Sequence, residues 1–544
     1  MKSNYYINVN GKYGMGAYAK PDYPTLPDLL ASMDRLGIWQ TVAYHLNARD
    51  LHPVFGNNFL LEDIAKTPGA KQRIIPAFCA NPAMLVGKGE MEALEKCLKK
   101  GVGGCVIIFP KTNRFRMVEY RPIFERLRKF ESVVLVDVTE MTENDIEDLA
   151  NLAPHFSELK FVVKEVMWWQ FSRVLDLMRR TRNVYCDISW LHTRDAIKIL
   201  CEQTDYSRVV FGAGFRCHGA AAIGGLAWAN IPQKKKNEIA WNNFVALLPA
   251  KTKKHAMRNR KKVQDKIENR FWKDFIVGKP LSDVLVIDAH THIGPFTRSW
   301  YLTENGIEDQ IATLKKEMKA FGINKILSQP ETALFGTPIE GNKMVEVKID
   351  DKERFRGNLV VNPIYSELYT EEVLDDFFKG GYFCGFKVAP QYLGVNVNDQ
   401  RFVPMYEYAN KHSMHILFHS FDDGDCGTPD KIAEMAVKYP NANFIIGHSG
   451  GGTRGRHQAE RVALDPRYNN CYFEFCGSFT TDVRWEDSLK YIDYRRVVFG
   501  TDTVVHDIAW ELARLLSLDI PEEQIEQILG NNMQRVLDKT VLPK

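Results

Sequence analysis

The sequence predicts an α/β protein made of two tandem (β/α)8 barrels. Three observations predict it. Strand-like apolar runs alternate with helical stretches along the chain, the pattern of βα units feeding a parallel sheet. The second half repeats the first: Arg496-Val497-Val498-Phe499-Gly500 echoes Arg208-Val209-Val210-Phe211-Gly212. Repetition at domain length, in a chain of 544 residues, leaves room for two complete copies.

The elements of the first copy are read in order. A strand is expected over residues 5–11, a helix over 25–36 and a strand over 41–44. Strand 73–78, helix 91–100, strand 105–109 and helix 122–129 follow, then strands 133–137, 160–163, 183–188 and 209–212. About eight such units suit one barrel. The two copies also end alike: Ile231-Pro232 precedes Asn242-Asn243 as Ile520-Pro521 precedes Asn531-Asn532. The first barrel is therefore expected over residues 1–250, a basic helical linker over 251–283 and the second barrel over 284–544.

The linker carries Lys251-Thr252-Lys253-Lys254, then Arg258, Arg260, Lys261 and Lys262. Val263, Ile267, Phe271 and Phe275 fall at i, i+4 spacing, one stripe of a helix. A connecting helix with a docked apolar stripe and a solvated basic face explains both features, and no nucleic-acid partner is expected.

Composition narrows the class. Hydrophobic content of 45% and charged content of 26% are those of a soluble globular protein. A formal net charge of +3 gives no reason to expect an acidic partner. Nothing after Met1-Lys2-Ser3-Asn4 reads as a signal peptide, and no run reaches the roughly 18 apolar residues of a membrane span. The ten cysteines are scattered without a CxxC pair, as free thiols in a reducing cytosol would be. A cytoplasmic protein without a membrane partner is expected.

The most informative stretch is residues 284–296, VLVIDAHTHIGPF. Val284 to Ile287 read as a buried strand that ends in Asp288-Ala289-His290-Thr291-His292 and turns at Gly294-Pro295. Alternate strand residues point the same way, so His290 and His292 project together and can share one metal ion. Further strand ends carry Lys387, His419, His448 and Asp502. In a barrel the C-terminal strand ends converge on one mouth, which would gather residues far apart in sequence.

These elements resemble the amidohydrolase superfamily, in its amidohydrolase-related branch of metal-dependent hydrolases and nonoxidative decarboxylases. The matching motifs are IDAHTH, GFK, LFHS, IIGHSGG, FGTD and a closing LGNN, over about residues 270–544. The resemblance implies TIM-like barrels of the metal-dependent hydrolase type. It implies that His290, His292, His419 and Asp502 hold one divalent metal, with His448 beside it on the substrate or the developing charge. Three imidazoles and a carboxylate suit Zn²⁺ with an open position for water. Asp502 would move the proton of that water, and His448 would polarise a carbonyl. Lys387 is either carboxylated, bridging to a second metal, or an ammonium that binds a substrate carboxylate. Arg454 and Arg456 either grip an anion or belong to a solvated loop. Glu331 is expected to line the mouth and bind substrate, and Glu474 is a weaker candidate.

The expected reaction is hydrolysis of a C–N or C–O bond in a small, anionic substrate. The alternatives are nonoxidative decarboxylation of an unsaturated or aromatic acid on the same ligands, and a non-catalytic protein that binds a small acid. In the first half, Asn8 and Asn10 stand opposite His290 and His292, Ile107 opposite Lys387, Asp137 opposite His419, Glu165 opposite His448 and Gly214 opposite Asp502. Neutral amide oxygens are poor zinc ligands. The first barrel is expected to be a degenerate, metal-free pseudoenzyme domain, packed on the second as an intramolecular pseudo-dimer. A homo-oligomer is left open.

Overall fold

A computed structural model describes residues 5–16, 21–100, 103–214, 218–295, 304–421, 424–477 and 484–543. Phe296, the last residue of the 284–296 stretch, and Met1 to Asn4 lie outside the described residues. The chain forms two compact units, Met1–Glu268 and Asn269–Lys544.

The first unit holds β1 (Ile7–Tyr13), β2 (Gln40–His45), β3 (Ile74–Cys79), β4 (Cys105–Ile108), β5 (Val133–Asp137), β6 (Lys160–Lys164), β7 (Val184–Asp187) and β8 (Val209–Val210). Its described strands pair in sequence order, every pair parallel. Val9 N donates to Phe211 O at 3.1 Å, so the first strand also meets the eighth. The second unit repeats this with β9 (Ile287–Ile293), β10 (Lys325–Pro330), β11 (Phe355–Val360), β12 (Phe383–Val388), β13 (His415–His419), β14 (Asn443–Gly447), β15 (Cys471–Phe475) and β16 (Val497–Phe499). Asp502 N donates to His290 O at 2.7 Å, and Thr291 bridges Thr503 in parallel register. Each unit is thus a nearly closed (β/α)8 barrel, as expected. Strand residues are buried on both faces because helices cover the outside and side-chain layers fill the inside. Ile7, Val42, Ile75, Ile107 and Leu135 supply the first core, and Ile287, Leu327, Leu417, Ile445 and Val498 the second.

Both closing helices contain a π turn at the same place, Glu238–Asn242 in one unit and Gln527–Asn531 in the other. After it, Asn243 Nδ2 donates to Val209 O at 2.8 Å, and Asn532 Nδ2 to Val497 O at 2.6 Å. The shared NN dipeptide therefore ties the last helix to the last strand in each copy.

Two expectations change. The leading strand of the second unit starts at Ile287 and runs through the histidines, so Val284 to Val286 precede it. The cause is the hydrogen bonding of His290 and Thr291 to the segment after β16, which extends pairing past the apolar run. The linker is not one helix. Helices Ala250–Arg258 and Arg270–Ile276 are separated by a stretch without helix. There Trp39 Nε1 donates to Asn259 O at 2.6 Å and Lys266 N to Arg35 O at 2.8 Å. Arg260 sits over the Tyr5 ring at 3.6 Å and Lys261 over Trp39 at 4.9 Å. Aromatic faces thus hold part of the basic run against the first unit, where a wholly solvated face was expected.

Candidate metal centre

His290 and His292 lie on β9, where alternation aims both rings at the mouth. Their Nε2 atoms are 3.1 Å apart. Asp502, just beyond β16, places Oδ1 at 3.0 Å from His292 Nε2 and 3.5 Å from His290 Nε2. These donors all lie within 4.8 Å of one another. The Asp502 side chain is 14% exposed against 1% and 7% for the two imidazoles, so solvent reaches the cluster on the carboxylate side.

Each imidazole is backed by a buried carboxylate. His290 Nδ1 lies 3.1 and 3.0 Å from the two oxygens of Glu474 on β15. His292 Nδ1 forms an ion pair with Glu331, the residue after β10. With Nδ1 as the donor to a carboxylate, each Nε2 is left as the basic nitrogen, the arrangement by which carboxylates orient metal-binding imidazoles. Glu331 therefore faces His292, where contact with a substrate was expected.

Burial, with the Lys387 charge beside it, holds His290 well below the ordinary histidine range. Burial also opposes charge on His292, but Glu331 and Asp502 outweigh it and raise that group to about 9. Burial would raise Asp502, yet the surrounding imidazoles hold it well below the usual carboxylate range. Glu474 is pushed up by burial.

His448 follows β14 with φ of 57°, and Asp502 has φ of 59°. Both sit in the left-handed region that L residues avoid, as functional residues held by their surroundings often do. The backbone N of His448 donates to Glu474 Oε2 at 3.0 Å, and its Nδ1 lies 3.2 Å from Cys476 O. Glu474 thus spans the HxH strand and the His448 turn. A second set of donors within 4.8 Å is His290, His448, Glu474 and Cys476. Cys476 escaped sequence reasoning; its only signal was a position two residues beyond Glu474.

His419 ends β13 and belongs to neither donor group. Its ring lies 5.0 Å from that of His448 and 4.3 Å from Tyr392. Lys387 on β12 is buried, with Nζ 2.9 Å from His290 Nε2, and burial lowers its proton affinity. Arg454 is exposed and pairs with Asp425 at 3.5 Å. Arg456 is buried over the Trp485 ring at 4.0 Å.

The first unit repeats the frame with other side chains, and its register corrects the sequence alignment. Asn10 N and Ala213 N donate to Asn8 Oδ1 at 2.9 and 2.8 Å. His290 N and Thr501 N donate to Asp288 Oδ1 at 3.1 and 2.9 Å. Asn8 therefore matches Asp288, and the counterparts of His290 and His292 are Asn10 and Lys12. A period-two strand pattern can slip by two residues without changing faces, which is why sequence placed Asn8 and Asn10 there. Glu165 holds as the counterpart of His448. Its N donates to Asp187 Oδ1 at 3.2 Å and its φ is 56°.

Imidazoles and a carboxylate gathered at the C-terminal mouth of a parallel barrel define the class: TIM-barrel proteins with a metal-type centre. The chain belongs to the amidohydrolase family, whose profile matches residues 12–257 and again 287–539. It is a tandem member of a family of metal-dependent enzymes. Among solved structures it is similar to 5-carboxyvanillate decarboxylase LigW from Sphingomonas paucimobilis, at 12% identity over 47% of this chain and 99% of that one, with a TM-score of 0.35. It is also similar to a putative amidohydrolase from Staphylococcus aureus, at 12% identity over 45% and 99%, with a TM-score of 0.35. A third is 2,6-dihydroxybenzoate decarboxylase from Rhizobium, at 16% identity over 47% and 99%, with a TM-score of 0.35. No curated protein matches the sequence.

The donor chemistry of the second unit fits a divalent metal: two buried imidazoles with aligned Nε2 atoms and one ionised carboxylate. Among the described residues, no helix is long and apolar enough to cross a membrane.

Proposed function

We propose that the second unit hydrolyses a C–N or C–O bond of a small, anionic substrate with metal-activated water. The observation that carries this reading is the meeting of His290 Nε2, His292 Nε2 and Asp502 Oδ1, with a carboxylate behind each imidazole. His290, His292 and Asp502 would hold the metal, with His419 completing the set and zinc as the ion. When bound, a divalent metal of this kind brings the pKa of a coordinated water from 15.7 to about 7.

The chain's own residues supply the rest. Asp502, ionised and on the solvent side, takes a proton from the attacking water and returns it to the leaving group. His448, neutral by burial and with its Nδ1–H engaged by the Cys476 carbonyl, presents an unprotonated Nε2 that accepts a hydrogen bond from the substrate or the attacking water. Lys387 faces the same point and binds a substrate carboxylate. The burial that lowers its proton affinity favours a second reading, because a neutral amine can add carbon dioxide. In that reading a carboxylated Lys387, His419 and His448 are the residues that would hold a second ion.

The experiment is metal counting on the purified protein, with and without bicarbonate, beside a panel of amides, lactones and aromatic carboxylates in ¹⁸O-water. Label in the product with one bound metal supports the first reading, and two metals only with bicarbonate the second. Carbon dioxide release without label would replace hydrolysis by nonoxidative decarboxylation. A protein that takes no metal would end both hydrolytic readings.

A further inference from the structure

The mouth of the first unit is filled by its own cations. Lys164 ends β6 and is buried; its Nζ lies 2.8 Å from Asp137 Oδ1 and donates to Asn10 Oδ1 at 2.8 Å. Lys12 Nζ lies 3.1 Å from Glu165 Oε1. Asn10 Nδ2 donates to the same Glu165 oxygen at 2.9 Å and to Ser189 Oγ at 3.1 Å. Two ammonium groups thus face two carboxylates, with the Asn10 amide joining the pairs.

Strand register shows what these positions mean. Asp137 pairs with Lys164 across β5 and β6 as His419 pairs with Gly447 across β13 and β14. Asn10, Lys12, Asp137 and Glu165 therefore occupy the places of His290, His292, His419 and His448, and Lys164 reaches in from the place of a glycine. Gly214 stands where Asp502 would. The family's metal does not fit here: the carboxylates already hold ammonium groups, and a divalent ion would meet two positive charges at close range.

We infer that Lys12 and Lys164 are a built-in replacement for the metal, so that the first unit has a closed, charge-balanced mouth that excludes divalent cations. A sequence that merely lost its imidazoles would leave Asp137 and Glu165 as buried unpaired acids. Two lysines from different strands remove that penalty. This conclusion does not depend on which reaction the second unit performs.

The test uses the full chain. Metal-free protein is dialysed against Mn²⁺ and the bound ion counted, in wild type and in H290N/H292N, which places at 290 the residue found at 10. The double variant is expected to retain no Mn²⁺; a full equivalent that also survives the further changes His419→Asn and His448→Asn in the second unit overturns the inference. In the same background, Lys164→Gly installs the residue found at 447. Its melting midpoint is expected to fall, and Mn²⁺ to raise it while leaving the parent double variant unmoved. A midpoint equal to the parent's overturns the inference. Should Lys164→Gly not fold, the Mn²⁺ counts on the second-unit variants still decide. A wild type without metal would remove the proposed function and leave this conclusion standing.

Discussion

His290 Nδ1 lies 3.0 Å from Glu474 Oε2, and neither side chain is more than 1% exposed. That pair selects the nitrogen of His290 that faces Asp502. Glu474→Gln keeps the size of the side chain and removes its charge. Loss of such a partner typically weakens metal affinity by about 10- to 100-fold. Competition with a chelator should show a drop of that order in the variant; an unchanged affinity would show that Glu474 serves packing alone.

Asp502→Asn should abolish turnover while the barrel folds. The carboxylate is a donor and the assigned proton carrier, and a general acid–base group contributes about 10²- to 10⁴-fold. The measurement is the rate on whichever compound of the amide, lactone and carboxylate panel the wild type accepts, beside circular dichroism. Wild-type turnover by Asp502→Asn would transfer both roles to another residue.

The pH dependence of stability should report Asp187, the first-unit counterpart of Glu474. Burial raises its carboxyl to about 7. The folded state then keeps this proton up to about pH 7, whereas the unfolded chain releases it near pH 4. Between those values the folded state binds more protons, so this group's contribution falls as pH rises and then levels off. Three pH units correspond to about 4 kcal/mol as an order of magnitude. Asp187→Asn should therefore gain stability over wild type progressively from pH 4 to 7. Urea unfolding across that range checks it, and parallel curves for the two proteins would refute it.

Gly385→Ala should destabilise the second unit. An added Cβ would lie 2.3 Å from the His415 ring, which Asn358 holds through a 2.7 Å hydrogen bond. Overpacking of this kind costs about 1–3 kcal/mol. Chemical denaturation should show a lower midpoint, and a wild-type midpoint would mean the ring can turn aside.

The sequence by itself determined the two barrels and the face of each key strand. Short apolar runs such as Val133 to Asp137 mark buried parallel strands, and alternation alone puts His290 and His292 on one side. Self-similarity of the RVVFG segments showed the duplication. These signals are local, so a linear reading recovers them. It also nominated Lys387, His448 and Asp502, because barrel geometry sends strand ends to one mouth.

Tertiary structure decided the partners. Glu474 backs His290 from β15 and Glu331 backs His292 from β10, pairings set by barrel closure over separations that carry no pattern. It turned Arg454 outward onto Asp425 and set Arg456 over Trp485. It moved the first-unit alignment by two residues, from Asn8 and Asn10 to Asn10 and Lys12, and brought Lys164 beneath them. Periodicity states which way a side chain points; only the folded register states what it meets there.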